Sequence, residues 1–211
     1  EVDMPSDDRI KTIHEAFTES VATADDDLMM KFFDGEEFTH DEIVAALSKG
    51  VADGTVMPVY ACAGYNVEAV DLVLNGITKL APSPLDRKET AVDGDGNEVE
   101  LECKEDGPLA AVCFKTVADP YVGKMSYIKV ASGKITGDTP CYCARTGETQ
   151  RMGKMVIPKG GKTEDPTAIA AGDIAVITKL ENFKTGDTIC SEKAPLSLTG
   201  PVFPDPCLSM C

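Results

Sequence analysis

The stretch DPYVGKMSYIKVASGKITGD, residues 119–138, decides how the second half of the chain folds. Pro120 and Gly123 shape a connection between strands, and Gly123–Val130 is a short apolar run of strand type. The turn Ile135-Thr136-Gly137-Asp138-Thr139 follows, and Lys184-Thr185-Gly186-Asp187-Thr188 repeats the same turn chemistry ahead of another strand. Similar runs lie at Ala110–Thr116, Thr139–Ala144, Gly153–Ile157, Asp173–Thr178 and Thr188–Cys190, each bounded by turn residues. Six short strands without helices predict a small closed antiparallel barrel, because closure removes the exposed edges of a sheet.

Ahead of these strands, Asp93-Gly94-Asp95-Gly96-Asn97 reads as a hairpin tip. Its acids occupy positions 1, 3 and 5 of an EF-hand loop, but Glu98 stands where glycine is required and Lys104 where the closing glutamate belongs. A turn is therefore expected rather than a calcium site.

Upstream of Pro82-Ser83-Pro84 the texture is helical. Ser6, followed by Asp7 and Asp8, is an N-cap signal, and Ile10, Ile13, Phe17 and Val21 recur on one face. A second helix carries Leu28, Met29, Phe32 and Phe33 and ends at Asp34-Gly35. Thr39-His40-Asp41-Glu42 is a capping box that opens a third helix with Ile43, Ala46 and Leu47 inward, expected to stop at Gly50. Val56–Cys62 then reads as a strand, and a helix from Asn66 places Val70, Val73, Leu74, Ile77 and Leu80 on its inner side. One strand and one helix cannot form an α/β domain, since a parallel sheet needs several strands covered on both faces. The first part therefore reads as the end of something larger.

The chain has 211 residues and a formal net charge of −16, of which −12 falls on residues 1–83 and −4 on residues 84–211. A face that negative repels nucleic-acid phosphate and suits a basic protein partner or plain solvation. No apolar run approaches the ~18–20 residues that span a bilayer, and no signal-peptide pattern opens the chain, so a cytoplasmic location is expected. Eight cysteines are scattered, several of them inside strand-like runs such as Ala111-Val112-Cys113-Phe114, and in a reducing compartment they serve as small buried hydrophobes. Cys141 and Cys143 are one residue apart, and Cys207 and Cys211 form the other close pair; neither makes the paired knuckles of a zinc site.

IPKGGKTEDP, residues 157–166, ends like a phosphate-binding P-loop at Gly161-Lys162-Thr163. The P-loop glycine four residues ahead is Val156 here, Pro158 precedes the pair, and Glu164, Asp165 and Pro166 follow where a helix should open toward phosphate. A solvated lysine-bearing loop between two strands is expected instead. His14 and His40 both fall on helices with no nucleophile or carboxylate pair that would suggest a triad, so a hydrolase active in this chain has no constellation to support it.

DPYVGKMSYIKVASGKITGD (119–138), followed by AAGDIAVITKLENFKTGDTICSEKAP (170–195), closely resembles the second domain of bacterial elongation factor G. FPDPCLSM (203–210) is similar to the strand entering that family's third domain, and APSPLD (81–86) to the junction between its GTPase domain and barrel. EVDMP (1–5), ATADDDLMMKFFDGEE (22–37) and GTVMPVYACAGYNVEAVDLVLNGI (54–77) resemble the end of the helical insert and the last strand and helix of the GTPase domain. The resemblance spans nearly the whole chain.

It implies an α+β fragment of a translational GTPase: the end of a P-loop G domain with its helical insert over 1–83, a linker with a hairpin over 84–105, a six-stranded translation-factor barrel over 106–198, and the start of the connection to a next domain over 199–211. The longer protein would bind GTP or GDP with magnesium and couple hydrolysis on the ribosome to movement of tRNA and mRNA. The family's P-loop, switch and guanine-reading motifs have no counterpart here, so the fragment is expected to hold no nucleotide and no metal and to be inactive alone. Ala63 and Gly64 stand where the family has the Ser-Ala pair that helps to hold guanine; a strand-to-helix turn needing small residues explains them equally.

By the same resemblance the barrel rests on small-subunit ribosomal RNA, with Lys124, Lys129, Lys134, Lys154, Lys159 and Lys162 as candidate phosphate contacts. Family members more usually carry Arg at position 129, and Lys there loses a planar donor fork. The acidic helical insert is implied to meet the flexible stalk protein of the large subunit. Asp119, Pro120, Tyr121 and Gly123 are candidates for an interdomain contact. No DNA or membrane partner is implied. A ribosomal-protection or release-factor relative sharing the barrel, and a self-standing interaction module without GTPase activity, remain as alternatives.

Overall fold

A computed structural model of the chain describes residues 7–205 and 207 and resolves two compact units, Glu1–Ser83 and Pro84–Cys211.

The first unit is built from four helices: α1 (Asp8–Ala22), α2 (Asp26–Asp34), α3 (His40–Asp53) and α4 (Val70–Leu80). Ser6, the cap expected from sequence, lies outside the described residues, and Asp7 takes the role by accepting the Arg9 N–H at 2.8 Å. The face expected of α1 is buried only at its end: Val21 is fully covered, whereas Ile13 and Phe17 are exposed. Asp25 caps α2, which ends on Gly35 in the left-handed region. The capping box at α3 is complete, with Thr39 and Glu42 each accepting from the other's backbone.

That helix does not stop at Gly50. It runs on to Asp53 and closes on Gly54 in the left-handed region. Gly50 has a packing role instead, because a Cβ there would meet Val56 Cγ2 at 2.6 Å. The unit's small core joins Val21, Leu28 and Ala46 with half-buried Phe38, Ile43 and Leu47.

Residues 56–62, expected as a strand, form no ladder among the described residues. A strand is fixed by its neighbours, and among the described residues none pairs with this run. An isolated antiparallel bridge joins Ala63 to Glu68, and α4 begins only at Val70, after left-handed Val67 and Ala69. Of the expected inner face, Leu80 is buried and Val70 and Val73 are half-buried, while Leu74 and Ile77 lie exposed. Tyr60 packs over Gly76, where any side chain would collide with its hydroxyl end.

The second unit is all antiparallel. β1 (Glu89–Asp93) and β2 (Glu98–Leu101) form a hairpin, and β13 (Leu196–Leu198) pairs with β1 on the other side. The hairpin tip is held by Asp93, whose Oδ1 accepts from the N–H groups of Asp95 and Asn97 at 2.9 and 2.8 Å.

The remaining strands are β3 (Ala110–Asp119), β4 (Gly123–Ser132), β5 (Lys134–Thr136), β6 (Cys141–Cys143), β7 (Glu148–Gln150), β8 (Met155–Lys159), β9 (Lys162–Glu164), β10 (Ala168–Ala170), β11 (Ile174–Thr178) and β12 (Thr188–Cys190). Eight of them run in the order β7-β6-β12-β3-β4-β11-β8-β9, and β5 pairs with β10. Every one of the six runs read from sequence carries one of these strands. Closure is not through a continuous ring of hydrogen bonds: the eight-stranded order is open at β7 and β9. The barrel character lies in the packing, since Cys113, Ile128, Val130, Ile135, Cys141, Ile169, Ile177, Phe183 and Ile189 from around the sheet fill one core. Each large aliphatic side chain removed from water there contributes about 1.5–3 kcal/mol.

The segment 84–105, expected as a linker with a hairpin, is packed as well as folded. Ala91 and Leu101 of the hairpin meet Leu196 and Leu198 of β13 and Ala110, Ala131 and Cys190 of the barrel strands in a second core.

Candidate functional site

Gly161-Lys162-Thr163 sits on the β8–β9 hairpin, with Lys159 paired to Lys162 in register. Gly160 makes the turn with a φ of +60°, and Lys162 and Thr163 lie in a strand. A phosphate cradle needs the N-terminus of a helix behind it, and this hairpin supplies none.

Ala63 donates its N–H to Glu68 O at 3.0 Å and accepts the Glu68 N–H at 3.2 Å, so its backbone is already used. Gly64 is exposed, and a Cβ added to it would meet nothing within 4 Å. The pair has room beside it but offers few donors.

Most of the candidate lysines are engaged within the barrel. Lys124 Nζ donates to the carbonyls of Glu181 and Phe183 at 2.7 and 2.5 Å, which makes it a clamp on the turn after β11. Lys134 pairs with Glu105 at 3.3 Å, Lys154 with Asp165 at 2.6 Å and Lys159 with Glu164 at 2.7 Å. These pairs are solvent-exposed and worth little individually. Lys162 makes no ion pair among the described residues. Lys129 is set differently: half-buried on β4, it pairs with Glu89 of β1 at 3.0 Å, and Arg87 Nε lies 3.9 Å from the same Glu89 oxygen.

Asp119, Pro120, Tyr121 and Gly123 come together at the tip of the β3–β4 hairpin. Asp119 Oδ1 accepts the N–H groups of Tyr121 and Val122 at 2.8 and 2.9 Å, and those two bonds hold its carboxyl below the usual carboxylate range. Gly123 turns the chain with a φ of +83°, a region that side-chain-bearing residues avoid. Tyr121 at this tip is 95% exposed.

Sequence reasoning missed the brace between Arg145 and Asp187. Its only sequence signal is the acid in the repeated Thr-Gly-Asp turn. The first copy of that turn is tied by Thr139, whose Oγ1 accepts the Thr136 N–H at 2.9 Å, and the second by Asp187, whose Oδ2 accepts the Lys184 N–H at 2.7 Å. Similar residues make the two turns with different acceptors.

An antiparallel barrel of short strands packed around one core is the architecture of the barrel domains that translation factors carry. Residues 108–192 match the family model described as elongation factor G domain 2, so the barrel is a domain of that kind. The fold is also similar to the crystal structure of a protein from Thermus thermophilus, with a TM-score of 0.70 and 20% identity over 98% of this chain. The chain spans 29% of the length of that protein.

Proposed function

We propose that the chain is part of a translation factor of the elongation factor G type, which binds the ribosome in the cytoplasm and couples GTP hydrolysis to movement of tRNA and mRNA. The match of residues 108–192 to elongation factor G domain 2 carries this reading. Within it, these two units supply contact surfaces and leave the nucleotide chemistry to other parts of the protein. Two features support that division: the Gly-Lys-Thr sequence lies in a β-hairpin, and the Ala63 backbone is bridged to Glu68. The barrel lysines would meet small-subunit ribosomal RNA, and the acidic helices over 1–83 would meet the stalk protein of the large subunit. Tyr121 would act as a contact to a neighbouring domain.

Ribosome co-sedimentation of this chain tests the reading, with calorimetry against GTP and GDP in magnesium beside it. Pelleting with ribosomes and silence toward nucleotide is the expected result. A chain that stays in the supernatant at low salt sinks the ribosome assignment, and nucleotide binding by the chain alone would overturn the division of labour.

A further inference from the structure

The negative charge of the second unit is gathered in one place. Residues 93–106 hold seven carboxylates and one lysine, a net −6 in a unit of net −4, so the rest of that unit is net +2. Pairing does not cancel the excess. Glu100 is bonded to Lys88 at 2.8 Å, Glu105 to Lys134 at 3.3 Å and Glu102 to Lys104, but Asp93, Asp95, Glu98 and Asp106 make no ion pair among the described residues.

The same stretch contains an open sheet edge. β2 is the last strand in the order β13-β1-β2 and pairs with β1 alone. The Asp93 N–H donates to Asn97 O at 2.9 Å, so those two residues form a bonded pair at the end of the hairpin. Antiparallel pairs alternate between bonded and non-bonded, which makes Ala91–Val99 and Glu89–Leu101 the bonded ones and turns the N–H and C=O groups of Glu98 and Glu100 away from β1. Among the described residues nothing else bonds these four groups. The pleat places the Glu98 and Glu100 side chains on the exposed face, and Val99 on the other, half-buried against the second core.

We propose that β2 accepts an added strand from a basic, extended segment of a partner protein. Its backbone bonds to the free groups of Glu98 and Glu100, alternate lysines or arginines lie beside those two carboxylates, and the residues between them cover Val99. Like charge along this edge repels a second copy of the same edge, whereas a strand of opposite charge meets no such barrier. The same charge turns nucleic-acid phosphate away. The surface is distinct from the barrel lysines and does not depend on the ribosome reading.

The test is fluorescence anisotropy of a labelled peptide, Lys-Thr-Lys-Val-Lys-Thr-Lys, titrated with the whole chain at low ionic strength. The wild-type chain is expected to bind it. The same peptide N-methylated at its three central residues keeps the charge and loses the donors, and is expected to bind about tenfold more weakly. Amide exchange followed by NMR should slow at Glu98 and Glu100 when peptide is bound, and change little at Val99, whose N–H already faces β1. Glu98→Gln is expected to weaken binding about two- to fivefold, and Glu19→Gln on α1 to leave it unchanged. Glu100→Pro removes an N–H that β1 does not use, a change a sheet edge tolerates, and should bind about fivefold more weakly than Glu100→Gln. Thermal melts of the variants separate lost binding from lost folding. No peptide binding, unchanged exchange at Glu98 and Glu100, or equal affinity for the N-methylated peptide would each overturn the proposal, the last reducing the contact to charge alone. Any of these results leaves the ribosome reading, which is decided by pelleting, where it was.

Discussion

Arg145 grips Asp187 with two parallel hydrogen bonds, Nε to Oδ1 at 2.6 Å and Nη2 to Oδ2 at 2.8 Å, and its Nη2 also donates to Asn182 O at 3.2 Å. Arg145 follows β6 and Asp187 precedes β12, so the pair staples the 182–187 turn to the neighbouring strand. Asp187 is only 5% exposed, and burial by itself would push its carboxyl up. The Arg145 guanidinium and the Lys184 N–H outweigh that burial and leave the carboxyl below its ordinary value.

Replacing Arg145 with Met leaves a buried carboxylate with one backbone donor, and a loss of about 2–3 kcal/mol in urea unfolding at neutral pH is expected. The folded-state value of Asp187 is lowered, so the stability it contributes is complete above the unfolded value of about 3.9 and drains away as pH falls below it. Wild type and Arg145→Met should therefore converge in acid. Equal urea midpoints at neutral pH would show that the brace carries no stability.

The cysteines should divide by burial. Cys141 is buried in the barrel core and its thiol is pushed up to about 12 by desolvation, while Cys113 and Cys190 are raised for the same reason. Cys62 and Cys207 are exposed. Alkylation at pH 8 followed by peptide mapping is expected to mark Cys62 and Cys207 within minutes and the four buried thiols, Cys113, Cys141, Cys143 and Cys190, only after denaturant is added. Labelling of Cys141 at the rate of Cys62 would mean that the core opens far more readily than its packing allows.

The strands were legible because their apolar residues recur between turn residues at short, regular spacing, and Asp119-Pro120-Tyr121-Val122-Gly123 announces its hairpin through proline and glycine alone. What the sequence hides is what depends on distant partners. Gly50 looks like a helix stop and is a contact surface for Val56, which lies beyond the helix. Val56–Cys62 has strand composition, yet composition cannot supply the neighbouring strand that makes a ladder. The lysines look alike in sequence, and only the fold separates Lys129, paired with a glutamate 40 residues away, from Lys124, spent on two carbonyls, and from exposed Lys162. The bulge at Phe114 arises from cross-strand register, which no local pattern encodes.

Glu42 ties α2 to α3 while it closes the α3 cap. Its Oε1 accepts the Lys31 ammonium at 2.5 Å, and its Oε2 accepts the Thr39 N–H and hydroxyl, each at 2.9 Å. The Lys31 bond, followed by those from Thr39, holds its pKa down to about 2, against an ordinary 4.5. A lowered folded value places the stabilisation above pH 4.5, and it is lost as pH falls toward 2. An acid titration followed by circular dichroism should show helix lost in that window by the wild-type chain and a smaller transition there in Glu42→Ala. Identical titrations of the two would separate Glu42 from the acid response of the helices.

Two glycines near each other in sequence should respond oppositely to a single methyl group. A Cβ on Gly153 would meet Thr178 Oγ1 at 2.6 Å and Thr178 O at 2.8 Å, where Thr178 already accepts the Gly153 N–H through its carbonyl and the Lys154 N–H through its hydroxyl. The methyl has to displace a bonded backbone, so Gly153→Ala is expected to cost about 1–3 kcal/mol, read as a lower melting temperature. A Cβ on Gly161 meets nothing within 4 Å, and that residue does not occupy the left-handed region. Gly161→Ala should then leave the melting temperature within a degree or two of wild type, or rise slightly through the loss of unfolded-chain freedom. A phosphate-cradling glycine would not tolerate the change, so the same variant examines whether Gly161-Lys162-Thr163 is a hairpin tip or a nucleotide site: ribosome association and nucleotide response should both match wild type. A selective loss of nucleotide response in the longer protein, with stability intact, would return this loop to consideration as a phosphate site.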